Sequence, residues 1–223
     1  MQHARTVIIN AAGRGGRFGG NINKSLVSIK GRKIIEWQLM LIPDSVQLVV
    51  GIGYQSELVY ETVRSVRPDA IFSVSREYRE TGTGYTLCKS AHLSSGLVTS
   101  LDGDLLLAPA DLSRFVYSDE PLIGIAKRSS KDPVFVDLGV GESTEVVTGF
   151  RRREASDSVN NSFEWSGLVT ISADFLCKNA GTGHVYEVLE KALPIRTVEV
   201  NCAELDYPSD LNVLSDFIGE WYL

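Results

Sequence analysis

Between Thr6 and Leu26 the chain concentrates groups that could hold an anion. Five glycines fall within eight residues (Gly13, Gly15, Gly16, Gly19 and Gly20), with Arg14, Arg17 and Lys24 around them. Glycine has no Cβ, so such a loop can turn tightly and offer backbone N–H groups to a ligand. Amides and cations at a strand end are what a polyphosphate needs; the plainer alternative is a glycine-rich surface turn. Two common phosphate loops do not fit. A P-loop needs glycine before its lysine, and Asn23-Lys24-Ser25 has none; the dinucleotide pattern G-x-G-x-x-G, counted from Gly13, fails at Phe18. Farther along, Asp102-Gly103-Asp104 sets two carboxylates two residues apart. They repel unless a positive group sits beside them. Hard oxygen donors of this kind suit Mg²⁺, which takes one or two carboxylates together with substrate phosphates and waters. An ordinary turn that favours Asp and Gly is the other reading.

Taken in order, Ala11-Ala12-Gly13-x-Gly15-x-Arg17 followed by Lys24-Ser25-Leu26 resembles the signature of nucleotidyltransferases that activate sugar phosphates and related phosphate monoesters. The resemblance implies that Ala11, Ala12, Gly13, Gly15 and Gly16 lie over the nucleotide, that Arg17 grips the triphosphate and that Lys24 contacts the reacting phosphates. It implies Asp104 as a direct Mg²⁺ ligand with Asp102 in support. Asp206, in Asp206-x-Pro208-x-Asp210-Leu211, is implied as a second ligand. Thr81-Gly82-Thr83-Gly84 resembles the segment that frames base and ribose, and Thr86-Leu87 matches the helix start of relatives that activate phosphocholine. Glu164 stands where sugar-activating relatives contact the acceptor, but Trp165-Ser166 replaces their polar Asn-Ala. An indole there would suit a small cation such as choline; a packed core tryptophan is the alternative. Within Arg151-Arg152-Arg153, Arg152 is the candidate for holding the acceptor phosphate, against a merely solvated edge.

These groups need a scaffold that brings distant strand ends together. Thr6–Ile9 reads as a buried strand, Ile34–Leu41 as a helix stopped before Pro43, Val46–Val50 as a strand, Gln55–Val66 as a helix and Ala70–Val74 as a strand. That alternation predicts parallel strands with helices on both faces, joined by right-handed crossovers. Ligands then bind at the carboxyl ends of the strands, where Gly13–Arg17 and Gly51–Tyr54 fall. A polar loop over 75–87 leads into a helix through Leu87 and Ala91, and Val98–Leu101 delivers the Asp102–Asp104 turn. Ala110–Ser118 predicts a helix and Leu122–Ala126 a strand, with a two-stranded excursion at Val134–Val140 and Glu145–Phe150. The polar run 154–162 predicts a mobile loop. Leu168–Ile171 and Arg196–Val200 read as strands and Val185–Leu193 as a helix; Asp210 is expected to cap a final helix. The expectation is one α/β domain over residues 1–223. Its sheet is doubly wound and mostly parallel, a Rossmann-like nucleotidyltransferase fold with a small antiparallel excursion.

Composition narrows the partners. A net charge of −6 argues against a broad nucleic-acid surface, so phosphate-binding charge must be local. Three isolated cysteines favour a reducing compartment. No leader-like N-terminus and no apolar run of membrane-spanning length are apparent, which predicts a cytoplasmic protein without membrane insertion. His3, His92 and His184 stand in no chemical context. The expected partners are a nucleoside triphosphate, Mg²⁺ and a small phosphate monoester; a homodimer is compatible with this. The favoured reaction is CMP transfer from CTP to phosphocholine or a phosphonate. Alternatives are a sugar 1-phosphate route with UTP, CTP or dTTP, and an A-type glycosyltransferase using Asp102-Gly103-Asp104. A nucleotide-sensing domain without chemistry is the non-enzymatic rival.

Overall fold

A computed structural model describes residues 5–19, 22–142, 144–152 and 163–223. Gly20, Arg153, His3 and the loop expected at 154–162 lie outside the described residues. Strand β1 (Thr6–Ala11) is buried along its whole length. Its alternate side chains enter two different cores. Val7 and Ile9 pack with Ile35, Val59 and Phe115 on one face, and Ile8 packs with Leu87, Ala91 and Leu189 on the other. A strand apolar on both sides is the sequence form of a sheet covered on both faces.

The hairpin β2 (Ser28–Ile29) and β3 (Arg32–Lys33) follows the glycine loop and leads into α1 (Ile34–Leu39). Then come β4 (Gln47–Ile52), α2 (Ser56–Val66), β5 (Ile71–Val74), α3 (Thr83–Ala91) and β6 (Leu97–Asp102). Strands β5, β4, β1 and β6 lie side by side and parallel, as their alternation with helices predicts. Next are β7 (Leu105–Leu107), α4 (Pro109–Val116), β8 (Leu122–Lys127), β9 (Val134–Val140) and β10 (Glu145–Arg152). The chain closes with β11 (Phe163–Ser172), α5 (Ala173–Lys178), α6 (Val185–Leu189), β12 (Ile195–Glu199), β13 (Cys202–Glu204) and α7 (Leu211–Trp221).

The expectation of a mostly parallel sheet needs correction. The nine strands run β5-β4-β1-β6-β11-β8-β12-β10-β9. β11 is antiparallel to both β6 and β8, and β10 is antiparallel to both β12 and β9. The sheet is therefore mixed, and the 134–152 hairpin is built into it instead of standing apart. Two physical facts account for this. A connection as short as residues 141–144 cannot make a parallel crossover. A strand buried on both faces also carries the same apolar pattern in either direction, so periodicity does not report its partners.

A third apolar layer joins Ile34 and Trp37 of α1 to Leu214 and Ile218 of α7, with Leu106, Ala203 and Leu205 between them. The small antiparallel pair β7–β13 lies in this layer and sets Glu204 opposite Leu105. One more amide, that of Leu205, donates to the Asp104 carbonyl at 3.1 Å. Asp104 and Asp206, 102 positions apart in sequence, are thereby zipped to the same spot.

Candidate active site

At the end of β1 the backbone enters the glycine loop, and Gly15 shows why glycine is needed there. Its φ is +62°, and a Cβ would lie 2.5 Å from the Ile22 carbonyl oxygen. The far end of the loop is pinned by Asn23, which is 2% exposed. Its amide donates to the carbonyls of Ala11 (2.7 Å) and Tyr54 (2.9 Å), while its Oδ1 accepts from the Ser25 amide at 3.1 Å. That clamp fixes the backbone of Lys24. The Lys24 ammonium then donates to Asp104 Oδ2 at 2.8 Å and to Asp206 Oδ1 at 2.7 Å. Arg17 Nη1 donates to Asp206 Oδ2 at 3.0 Å and lies 3.6 Å from Asp132.

Carboxylate oxygens of Asp104, Glu204 and Asp206 lie within 4.8 Å of one another. Three hard oxygen donors in that space suit Mg²⁺, with room left for phosphate and water oxygens. Sequence reading missed Glu204. The available signal was its spacing, since Glu204-Leu205-Asp206 repeats the two-residue step of Asp102-Gly103-Asp104. Crowding shows in the acids: although the Glu204 residue is exposed, its carboxyl is pushed well above the usual carboxylate range, first by the groups packed around it and then by the charges of Asp104, Asp206 and Asp102. Burial is also the largest influence on Lys24 and by itself would lower its pKa. Asp104 and Asp206 outweigh that and hold the ammonium charged.

Asp210 does not serve the final helix as expected. Its Oδ2 accepts from the amides of Asp206 (3.0 Å) and Tyr207 (2.7 Å), so it orders the turn that carries Asp206. Beneath the other acids, the buried Gln38 donates from Nε2 to the carbonyls of Asp102 (2.8 Å) and Leu105 (2.6 Å), holding the Asp102–Leu105 turn.

Two chambers open on this cluster. The first encloses about 350 Å³ and is lined by Ala11, Ala12, Gly13, Gly15 and Gly16, with Thr81, Gly82 and Thr83 opposite. Within it, the Thr81 hydroxyl donates to the Glu77 carbonyl at 2.9 Å, a local turn bond. Gly82 and Gly84 have a packing duty as well: a Cβ on either would come within 2.6 Å of the Gly183–His184 backbone. The second chamber, about 320 Å³, is lined by Arg152, Glu164 and Trp165, with Lys131, Tyr186 and Tyr207. Glu164 lines this chamber, and its carboxylate is held by the backbone and side chains of Ser129 and Ser130. Its Oε1 accepts from the amides of Ser129 (2.8 Å) and Ser130 (3.1 Å), and its Oε2 accepts from the Ser130 hydroxyl. Trp165 packs edge-on against Phe150 at 5.9 Å and still reaches the chamber wall. Arg152 Nε donates to the Tyr186 hydroxyl at 2.9 Å. His184, read as lacking chemical context, lines both chambers, while His92 lies exposed elsewhere. Its position follows from the packing of 182–184 against 82–84, which no local pattern announces.

No family model matches the chain. Over 181 residues, 76% of its length, it is 26% identical to the bifunctional protein GlmU of Geotalea daltonii, and the match spans 39% of that protein. Among solved structures it is similar to the inositol-1-phosphate CTP transferase from T. maritima, with a TM-score of 0.72, 19% identity and 99% of both chains covered. The fold is that of the nucleotidyltransferases. Also similar is the CTP:phosphocholine cytidylyltransferase LicC of Streptococcus pneumoniae, at TM-score 0.71 and 15% identity, covering 97% of this chain and 99% of that one. A UDP-glucose pyrophosphorylase from Acinetobacter baumannii aligns at TM-score 0.76 and 10% identity, covering 97% and 93%.

In this nucleotidyltransferase fold Asp102 lies at the end of β6, accepting from Asn10 Nδ2 at 3.4 Å. Burial first, and then the charge of Asp104, push its carboxyl up to about 7. The ordinary value is about 3.9. Between those two values the folded state holds a proton that the unfolded chain has released, so folding stability falls as pH rises through this window. Asp102→Asn removes that cost. In chelator, the variant is expected to melt higher than the parent at pH about 8, with the gain shrinking to nothing as pH approaches about 4. Thermal melts across that range check it, and a gain independent of pH would contradict the assignment.

Proposed function

We propose that this protein transfers a nucleoside monophosphate from a nucleoside triphosphate to a phosphate monoester and releases pyrophosphate. The observation that carries this is the convergence of the glycine loop, Arg17 and Lys24 with Asp104, Glu204 and Asp206 where two chambers meet. One chamber can take the nucleotide and the other the acceptor. The amides of 13–16 face the triphosphate, while Arg17 and Lys24 offset its charge. An oxygen of the acceptor phosphate forms a bond to the α-phosphorus, the bridging P–O bond to the β-phosphate breaks, and its electron pair leaves with pyrophosphate. The second pKa of a phosphate monoester is about 6, so near neutral pH the nucleophile is already a dianion and no side chain need take a proton. Catalysis then rests on positioning and on charge placed against the phosphates. Asp104, Glu204 and Asp206 would hold Mg²⁺, which supplies positive charge to phosphate oxygens when bound.

The finer reading is CMP transfer from CTP to a small phosphate monoester such as phosphocholine, or to a phosphonate. It is supported by the likeness to two solved CTP-using enzymes over nearly the whole chain, and by Trp165 on the wall of the second chamber. The likeness to a UDP-glucose pyrophosphorylase keeps a sugar 1-phosphate as the second reading. The test is pyrophosphate release with Mg²⁺ and each of CTP, UTP and dTTP against phosphocholine and a set of sugar 1-phosphates. The expected result is release with CTP and phosphocholine. Release only with UTP or dTTP and a hexose 1-phosphate sinks the cytidylyl reading, and no release from any pair sinks nucleotidyl transfer.

A further inference from the structure

The nucleotidyl-transfer reading, on which this inference rests, places bond formation at the boundary between the chambers. Six residues line both: Arg17, Thr83, Asp102, His184, Glu204 and Asp206. Glu204 and Asp206 belong to the cation side of the site, and Asp102 is held at the end of β6 by Asn10. Arg17 is held by Asp206 and Asp132. Thr83 and His184 are therefore the boundary donors that no described carboxylate side chain engages by an ion pair.

Of these two, His184 is the more firmly placed. Its ring stacks flat on Tyr186, with centroids 5.7 Å apart and planes 7° from parallel. The Tyr186 hydroxyl is itself fixed, accepting from Arg152 Nε at 2.9 Å and donating to Glu187 Oε1 at 3.1 Å. The His184 amide donates to Glu187 Oε2 at 3.0 Å. Behind it, the amides of Gly82 and Gly84 donate to the carbonyls of Thr182 (2.7 Å) and Gly183 (3.1 Å). The backbone is held from two sides and the ring from a third, so little freedom is lost when a ligand arrives. Partial burial, with Arg152 and Arg17 nearby and Glu187 opposing them, keeps the imidazole below its ordinary value. A neutral imidazole carries one N–H donor.

We infer that His184 is an acceptor-binding residue, whose imidazole N–H donates to a non-attacking oxygen of the phosphate monoester and turns another oxygen toward the α-phosphorus. Tyr186 and Glu187 position that ring without touching the substrate.

The experiment compares the parent chain with H184F, which keeps a flat ring against Tyr186 but has no donor, and with H184Q, which keeps a donor. KM for phosphocholine and for CTP are measured separately; glucose 1-phosphate with UTP replaces them if phosphocholine gives no turnover. A hydrogen bond to a charged group corresponds to about 10–100-fold in affinity. H184F is expected to raise the acceptor KM by that factor while the nucleotide KM changes less than about twofold. H184Q is expected to recover most of the loss. If H184F does not fold, H184L takes its place as the donor-free variant. An acceptor KM unchanged in the donor-free variant overturns the inference, as does an equal rise in both KM values or an equal defect in H184Q. Those outcomes leave nucleotidyl transfer standing; absence of turnover in the parent protein with every pair removes that reading and this inference together.

Discussion

Asp104→Asn is expected to lower the rate of pyrophosphate release by on the order of 10²–10³, the scale of losing one preorganised electrostatic group. The substitution keeps the shape of the side chain and removes only its charge. The fold has little reason to change: the side chain is 18% exposed, pairs with Lys24, and sits in a turn whose architecture depends on its carbonyl, which asparagine retains. Its loss leaves Glu204 and Asp206 as the remaining acids of the trio. Activity titrated against Mg²⁺ should therefore show a higher midpoint as well as a lower ceiling, with a melting temperature in chelator near that of the parent, because Lys24 keeps Asp206 as its partner and one of the crowded acids loses its charge. A near-parental rate with the same Mg²⁺ midpoint would remove Asp104 from the cation site.

Lys24→Met carries an expected rate loss of similar size, about 10²–10³, for a second reason. Methionine retains most of the apolar stem but deletes the charge that bridges Asp104 and Asp206. Both ion-pair distances are below 3 Å and the three side chains are 11–18% exposed, so this pair is nearer a buried than a surface one. Removing one partner of such a pair costs roughly 3 kcal/mol, because it leaves like charges facing each other with poor solvation. The nucleotide-free variant should thus melt several degrees below the parent, and Mg²⁺ should restore part of the difference by supplying the missing positive charge. Calorimetry with and without Mg²⁺, and kinetics well below the melting point, separate the two effects. An unchanged melting temperature together with full activity would show that the ammonium is a bystander.

Residue types alone made the first half of this protein legible. Apolar β-branched runs alternating with helices predict parallel strands, and β5, β4, β1 and β6 are parallel; their order in the sheet is a matter of the tertiary structure. A loop of glycines with Arg17 and Lys24 at a strand end can offer only amides and cations, so its suitability for phosphate was readable without coordinates. The direction of β11 and the pairing of the 134–152 hairpin with β12 were not readable, since burial on both faces leaves no mark of orientation. Nor were the contacts that complete the site. Glu204 reaches Asp104 through the register of β13 on β7. Asn23 matters through two carbonyls from different strand ends, and Asp210 turned out to serve the amides of 206 and 207. Glu164 spends its oxygens on Ser129 and Ser130, and His184 reaches both chambers because 182–184 packs against 82–84. Apart from the Asp210 turn, which is local, each of these depends on backbone groups brought from far along the chain. A side chain's type states what it can bond to; only the tertiary structure decides which partner stands within 3 Å of it.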